Sequence, residues 1–336
     1  MDPSYERVVV IGASAGGVSA LIQIAEGLPA GFGAPVCMVQ HIGANPSLLP
    51  ELLRFRGPNH AVHPEDGQRL ATGTLHLAPP DHHLLIEGDR LRLKRGPKEN
   101  HARPAIDPLF RTAALAFGPR VIGVVLTGHM DDGSAGLKAI QDCGGTVIVQ
   151  DPATATEPEM PLSALRHVVP DYCVPLSEIA PLLVRLVGTP PPASRPEPPL
   201  EVAREVAINL GEGTVEHLKQ IASPSTLTCP DCGGSLWEMN TSRPLRYRCH
   251  TGHAYSSVSL ARSQQESAEH AVWSSVRALR EREILLRRSA EIAAAIGDQA
   301  QAAAGRAQAD LLAEQVRTLQ NLAERLPRTP ALDVAP

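Results

Sequence analysis

The residues with the clearest chemical pattern sit near the start of the chain. Gly12-Ala13-Ser14-Ala15-Gly16 fits G-x-S-x-G, followed by Gly17. That pattern turns sharply between a strand and a helix and exposes a serine hydroxyl. Its glycines permit unusual backbone angles and a close approach of substrate. The helix that follows offers unpaired N–H groups and positive potential, which suit an oxyanion. A phosphate-binding βα turn is the plainer alternative. A dinucleotide fingerprint needs glycine where Ser14 stands, and no Gly-Lys-Ser/Thr follows to make a P-loop. Serine is a weak nucleophile without a base. His41 ends the apolar run PVCMVQ, and Asp131 and Asp132 follow the run VIGVVL. Ligand sites in open α/β sheets lie beyond the carboxyl ends of the strands. Ser14, His41 and Asp132 can therefore meet at one edge as a Ser–His–Asp triad, the aspartate fixing the imidazole tautomer. His129 is a rival base. A histidine at a strand end and an Asp-Asp-Gly also occur as ordinary structural hydrogen bonds and turns.

A second cluster lies late in the chain. Cys229-Pro-Asp-Cys232 precedes Cys249 and His253 in a C-x2-C-x16-C-x3-H pattern. Two ligand pairs at this separation suit a tetrahedral Cys₃His zinc site, with His250 as the runner-up for the fourth ligand. Four donors leave no open position, so the zinc is expected to be structural, and no cofactor is expected for catalysis. Chelation should then unfold this module and leave the hydrolytic domain intact. Cys37, Cys143 and Cys173 stand singly in apolar stretches and read as reduced core residues.

The elements that must position these groups follow from periodicity. Residues 7–12 (RVVVIG) form a continuous apolar run, typical of a strand covered on both faces. The sequence predicts helices over 18–28, 47–55, 106–117, 134–142, 161–167 and 177–187, and strands over 35–40, 121–126, 146–150 and 172–174. Residues 60–94 read as short strands with a turn at Glu87-Gly88-Asp89. The βα repetition gives an α/β fold with a doubly wound, mostly parallel sheet, followed by a small zinc-ribbon-like module and a helical tail. The expected layout is a catalytic domain over 1–187, a proline-rich linker and connecting segment over 188–224, the ribbon-like module over 225–257, a helical hairpin or coiled coil over 258–328 and a disordered tail over 329–336. Val272, Val276, Leu279, Leu286, Ala290 and Ala293 recur at helical spacing, as do Leu312, Val316, Leu319, Ala323 and Leu326, with a turn expected at Gly297-Asp298.

Composition narrows the function classes. A net charge of −5 argues against a large nucleic-acid footprint. Arg243, Arg246 and Arg248 lie near Trp237 and Tyr247 and read as ordinary solvated arginines rather than a nucleic-acid surface. No apolar run reaches the ~18–20 residues of a membrane span. The first seven residues lack the basic and apolar regions of a signal peptide, so a cytoplasmic location without membrane insertion is expected.

VVVIGASAGG, VQHI, GTLHLAPPDHH, ARPAIDPLF, GVVLTGHMDDGSAG and QDPATATEPEMP are spread in order through residues 7–187. In these stretches the chain resembles the catalytic domain of the CheB family, the chemotaxis protein-glutamate methylesterases. The resemblance implies a serine hydrolase whose triad falls on Ser14, His41 and Asp132. Its implied reaction is hydrolysis of glutamate methyl esters on chemoreceptor helices, and many members also deamidate glutamines there. The implied partner is a methylated chemoreceptor or receptor-like signalling protein. Arg103 and Asp107, in ARPAIDPLF, are implied substrate or scaffold residues. Ala15, Gly16, His129, Met130 and Arg103 make up the expected substrate-binding set. The family usually carries methionine where this chain has His129, and some members carry threonine at the position of Ala15. The family's N-terminal receiver domain is expected to be absent, because the first catalytic strand begins at Arg7. The rival reading is a non-catalytic regulatory adaptor that binds protein through the esterase fold, the ribbon and the helices. A homo-oligomer through the helical tail is compatible with either.

Overall fold

The structure is a computed structural model that describes residues 5–240 and 243–325. It divides into two compact units, Met1–Leu260 and Ala261–Pro336. The expected tail over 329–336 lies outside the described residues.

In the first unit, β1 (Val8–Ala13), α1 (Gly17–Gly27), β2 (Val36–Gln40), α2 (Leu49–Arg56), β3 (His60–Val62) and β4 (Thr74–Leu77) come first. An antiparallel hairpin of β5 (His83–Glu87) and β6 (Arg90–Lys94) follows, turning at Gly88. Next are α3 (Ile106–Phe117), β7 (Val121–Val125), α4 (Ser134–Asp142), β8 (Thr146–Gln150), α5 (Glu159–His167), β9 (Tyr172–Val174) and α6 (Leu176–Val187). The main sheet has the order β3-β4-β2-β1-β7-β8-β9, and every pairing in it is parallel.

Every residue of β1 is buried. Alternation along the strand sends Val8 and Val10 into one core with Phe110, Leu137 and Ile140, and Val9 and Ile11 into the other with Leu21, Ile24 and Leu183. The continuous apolar runs are thus strands sandwiched between two helical layers. Cys37 and Cys143 are core residues as expected, but Cys173 is exposed. It lies on β9, the edge strand of the sheet, where only one neighbour covers it.

The chain then continues as α7 (Leu200–Leu210) and α8 (Thr214–Ile221), in a stretch expected only to connect. Val202, Glu205, Val206 and Ile208 of α7 are buried, and the helix packs on α3. An antiparallel sheet of β10 (Ala222–Thr228), β11 (Ser235–Met239), β12 (Arg246–Cys249) and β13 (Ala254–Ser256) completes the unit. This small sheet belongs to the same compact unit as the large one, and a bridge pairs Glu99 with Ala254. Helix α9 (Ser257–Ala295) begins here.

The second unit holds the rest of α9 and α10 (Gln299–Arg325), joined by a turn with Gly297 at φ 88°. Ala290, Ala293, Ala302, Ala309, Leu312 and Val316 are among its buried residues, and Arg287 pairs with Asp310 at 3.0 Å. Small side chains let two helices approach closely, and a Cβ on Gly305 would lie 3.1 Å from that of Ala290. Among the described residues no helix is long and apolar enough to cross a membrane.

Candidate active site

The direction of the chain's progress across the sheet reverses at β1: β2 lies on one side and β7 on the other. Ligand crevices form at such a switch point, beyond the carboxyl ends of the strands. Ser14 leaves the end of β1, and its N–H donates to the Thr127 carbonyl at 3.0 Å. His41 leaves the end of β2, its N–H bonded to the Ala13 carbonyl at 3.1 Å. Asp132 lies in the loop after β7, just before α4.

These three side chains form one line of hydrogen bonds. His41 Nδ1 is 3.1 Å from Ser14 Oγ, and His41 Nε2 is 2.8 Å from Asp132 Oδ2. The imidazole is partly exposed and the carboxylate is buried. A proton on Nε2, directed at Asp132, leaves the Nδ1 lone pair facing the serine. Asp132 is richly solvated by protein. Ile106 N donates to its Oδ2 at 2.7 Å. Asp107 N, Gly133 N and Asn100 Nδ2 donate to its Oδ1 at 3.2, 3.0 and 3.2 Å. Burial alone would raise its pKa, but the bonds from His41, Ile106 and Asn100 outweigh that and hold it below the ordinary value. Two of these donors are the first amides of α3, so the helix terminus also favours the charge.

Asp107 and Asp131 flank Asp132 and are both shifted in the opposite direction to it. Burial, then the neighbouring charge of Asp132, pushes Asp107 up to about 8. Burial pushes Asp131 up to about 6 against a bond from Ser256. Asp107 Oδ1 accepts Gly133 N and Gly136 N at 3.0 and 2.7 Å, which ties α3 to the start of α4.

The turn that carries Ser14 is fastened from several sides. Gly16, at φ 75°, leads into α1; a Cβ there would stand 2.7 Å from that of Thr156. Gly128 passes so close that a Cβ would lie 2.7 Å from the Ser14 Cβ. Gln40 Nε2 donates to the Ser14 carbonyl at 2.8 Å, and Thr127 Oγ1 to the Ala15 carbonyl at 2.9 Å. His129 is half exposed, with Nδ1 3.6 Å from both Glu157 and Glu159. Met130 takes φ 67°, and its N–H donates to Glu159 at 2.9 Å. His129 is thus directed at two glutamates, while His41 is the histidine against Ser14. Arg103 is engaged away from the serine: its guanidinium donates to Asp81 and to the Gly96 carbonyl.

The late cluster assembles in the small sheet. Cys229 and Cys232 lie between β10 and β11, Cys249 ends β12, and His253 lies in the turn to β13. Their donor atoms all fall within 4.8 Å of one another. Cys232 Sγ and Cys249 Sγ are 3.8 Å apart, and Cys249 Sγ is 3.5 Å from His253 Nδ1. A zinc tetrahedron with ordinary bond lengths has S–S and S–N edges of about 3.8 and about 3.6 Å. The donor set therefore fits such an ion. His250 is exposed, with its ring close to Gly234.

Arg246 and Arg248 are not the solvated surface expected of them. Arg248 is buried and donates to Glu99 and Glu205, both at 2.9 Å. Arg246 donates to Glu205 at 2.8 Å and pairs with Glu201. Arg111 of α3 pairs with Glu99. Asn100, which no motif singled out, proves to be a direct partner of Asp132. Its only sequence signal is its place three residues ahead of Arg103.

A family model for CheB methylesterase matches residues 9–183. A Leptospira interrogans protein (serovar copenhageni), provisionally named protein-glutamate methylesterase/protein-glutamine glutaminase, is 41% identical over 189 residues, covering 54% of this chain and 95% of the relative. A protein-glutamate methylesterase/protein-glutamine glutaminase from a Nocardioides strain is 37% identical over 198 residues, 56% of this chain and 53% of its own. Among solved structures, the Thermotoga maritima CheB methylesterase catalytic domain matches with 33% identity and a TM-score of 0.51, over 54% of this chain and 98% of that one. The family match ends at residue 183, ahead of the cysteine cluster.

Proposed function

The chain belongs to the CheB methylesterase family, and from that premise we propose that it is a serine hydrolase that removes methyl groups from glutamate methyl esters of a chemoreceptor or receptor-like protein. The observation that carries this reading is the unbroken line Ser14 Oγ, His41, Asp132 at the ends of three adjacent strands. His41 Nδ1 takes the serine proton as Oγ attacks the ester carbonyl. Asp132 stabilises the imidazolium that forms. The same proton then passes to the departing methoxide, methanol leaves, and a water deprotonated by His41 hydrolyses the acyl-enzyme to glutamate. Ala15 and Gly16, just ahead of α1, are assigned to the oxyanion through their backbone N–H groups. His129 and Met130 are assigned to the rim that receives the receptor helix, and Arg103 to holding the neighbouring Asp81 loop. Replacing the ester by a glutamine amide asks the same groups for ammonia as the leaving group, so deamidation belongs to the same reading. The reaction is taken to be cytoplasmic and to need no cofactor.

Cys229, Cys232, Cys249 and His253 are assigned as ligands of a zinc ion, which would supply a structural cross-link between the β10–β11 and β12–β13 turns.

The deciding experiment is methanol release from methylated receptor cytoplasmic domains. Ser14→Ala should lower the rate by about 10⁴-fold or more. Equal release by Ser14→Ala and wild type would refute the assignment of the nucleophile.

A further inference from the structure

Four hydrogen bonds meet on the side chain of Asn100. Its Oδ1 accepts Ser256 N at 2.9 Å and Ser259 Oγ at 3.0 Å. Its Nδ2 donates to Asp132 Oδ1 and Asp107 Oδ2, both at 3.2 Å. A primary amide has two lone pairs and two N–H bonds, so its capacity is filled. The acceptor end faces β13 and the first residues of α9. The donor end faces the catalytic carboxylate. Were the amide rotated by half a turn, its oxygen would meet the charged Asp132 carboxylate and its N–H groups would meet the Ser256 N–H donor. The C-terminal module therefore selects the orientation in which Asn100 serves Asp132.

The loop that carries Asn100 depends on the same module. Asn100 and His101 are both left-handed, at φ 48° and 65°. Two consecutive non-glycine residues in that region are held by their surroundings rather than by their own preference. The surroundings here are Ala254 O, which accepts Asn100 N at 2.9 Å, and Ser259 O, 2.8 Å from His101 Nε2. The His101 ring meets the edge of Tyr255 at 5.6 Å. Glu99, one residue earlier, is clamped by Arg248 of β12 and Arg111 of α3. On the far side Ser256 Oγ donates to Asp131 Oδ1 at 2.8 Å, so the module also grips the residue beside Asp132.

We propose that Asn100 is a positioning residue of the esterase, and that the C-terminal module acts on catalysis by fixing it through Ser256 and Ser259. The family match stops before these two serines, so this support comes from the part of the chain beyond the matched domain. The proposal rests on Ser14 being the nucleophile.

The test uses the full chain and two readouts. One is the rate at which a fluorophosphonate probe labels Ser14, which reports triad competence whatever the natural ester. The other is kcat and KM for methanol release from methylated receptor domains. Asn100→Ala should lower the labelling rate and kcat about tenfold to a hundredfold, with KM unchanged. Ser259→Ala should lower both about threefold to tenfold. Because Ser259 works through Asn100, the double variant should be no slower than Asn100→Ala alone. Losses that multiply, or single variants within twofold of wild type, would overturn the proposal. If Asn100→Ala does not fold, Ser259→Ala decides alone: a slower rate supports the coupling and an unchanged one refutes it. A wild type that labels at Ser14 yet releases no methanol would overturn the substrate reading while the labelling series still judges Asn100. A wild type that fails to label at Ser14 would overturn both.

Discussion

His41 meets Ser14 through Nδ1 and Asp132 through Nε2, the reverse of the ring usage in the chymotrypsin-type triad. The chemistry survives the exchange, because either imidazole nitrogen can be the base if a carboxylate holds the proton on the other. Asp132→Asn tests this at the scale of one atom. An asparagine can turn its N–H₂ toward Nε2 and place the imidazole proton on Nδ1, facing the serine. We expect kcat to fall by about 10⁴-fold while the fold is retained; a loss under tenfold, measured by methanol release, would remove Asp132 from the triad. That Ser14, His41 and Asp132 meet was legible in the sequence, because each follows an apolar run that reads as a buried strand. Asn100 was not. Its role depends on Ser256 and Ser259, more than 150 residues away, and no local pattern marks an amide as bridging two distant elements.

At the scale of elements, the joint between the small sheet and α3 is a buried charge cluster. Arg111 comes from α3, Glu201 and Glu205 from α7, and Arg246 and Arg248 from β12, with Glu99 among them. Three arginines face three glutamates, so the cluster is balanced. The sequence presented Arg246 and Arg248 as surface residues because no periodicity reveals carboxylates supplied from other elements. For the same reason α7 looked like a connection, although its Val202, Val206 and Ile208 stripe is amphipathic. A balanced cluster punishes the loss of one member: Arg248→Ala should destabilise the unit by about 3–5 kcal/mol, because Glu99 and Glu205 would stay buried with weaker partners. Burial alone would raise Glu99, but Arg111, Arg248 and His83 outweigh it and hold the carboxyl well below its ordinary value of 4.5. A carboxyl depressed in the folded state stabilises the protein above the unfolded value and loses that contribution as pH falls toward the folded one. Thermal stability should therefore drop as pH falls below about 4.5, the ordinary glutamate value. Glu99→Gln should flatten that decline while lowering stability at neutral pH. Scanning calorimetry from pH 7 to pH 3 would show it, and an identical acid slope in the variant would clear Glu99 of the effect.

For the whole molecule, the question is whether the metal-donor module is an independent passenger. The spacing of Cys229, Cys232, Cys249 and His253 suggested a separate ribbon whose unfolding would leave hydrolysis untouched. That expectation assumed a joint like a linker, and residues 188–199 do contain one rich in proline. The chain then returns through α7 onto α3 and through the small sheet onto the Glu99 loop, and the small and main sheets fall within one compact unit. Cys249 follows directly on Arg248, and His253 directly precedes Ala254, whose carbonyl holds Asn100. An ion bound by Cys249 and His253 would pin both ends of the β12–β13 turn, and with them the backbone that presents Ser256. Chelation of the purified full chain should accordingly release about one zinc per chain, the number expected of one four-ligand site. Amide hydrogen exchange should speed up across residues 246–256, while the seven-stranded sheet keeps its protection. The rate of Ser14 labelling should fall toward that of Asn100→Ala, about tenfold to a hundredfold below wild type, and recover when zinc is restored. A stripped protein with its zinc gone, its 246–256 amides exposed and its labelling rate intact would show that the two sheets share a core without sharing a mechanism. The hydrogen-bond path from β13 through Asn100 to Asp132 argues for the opposite result.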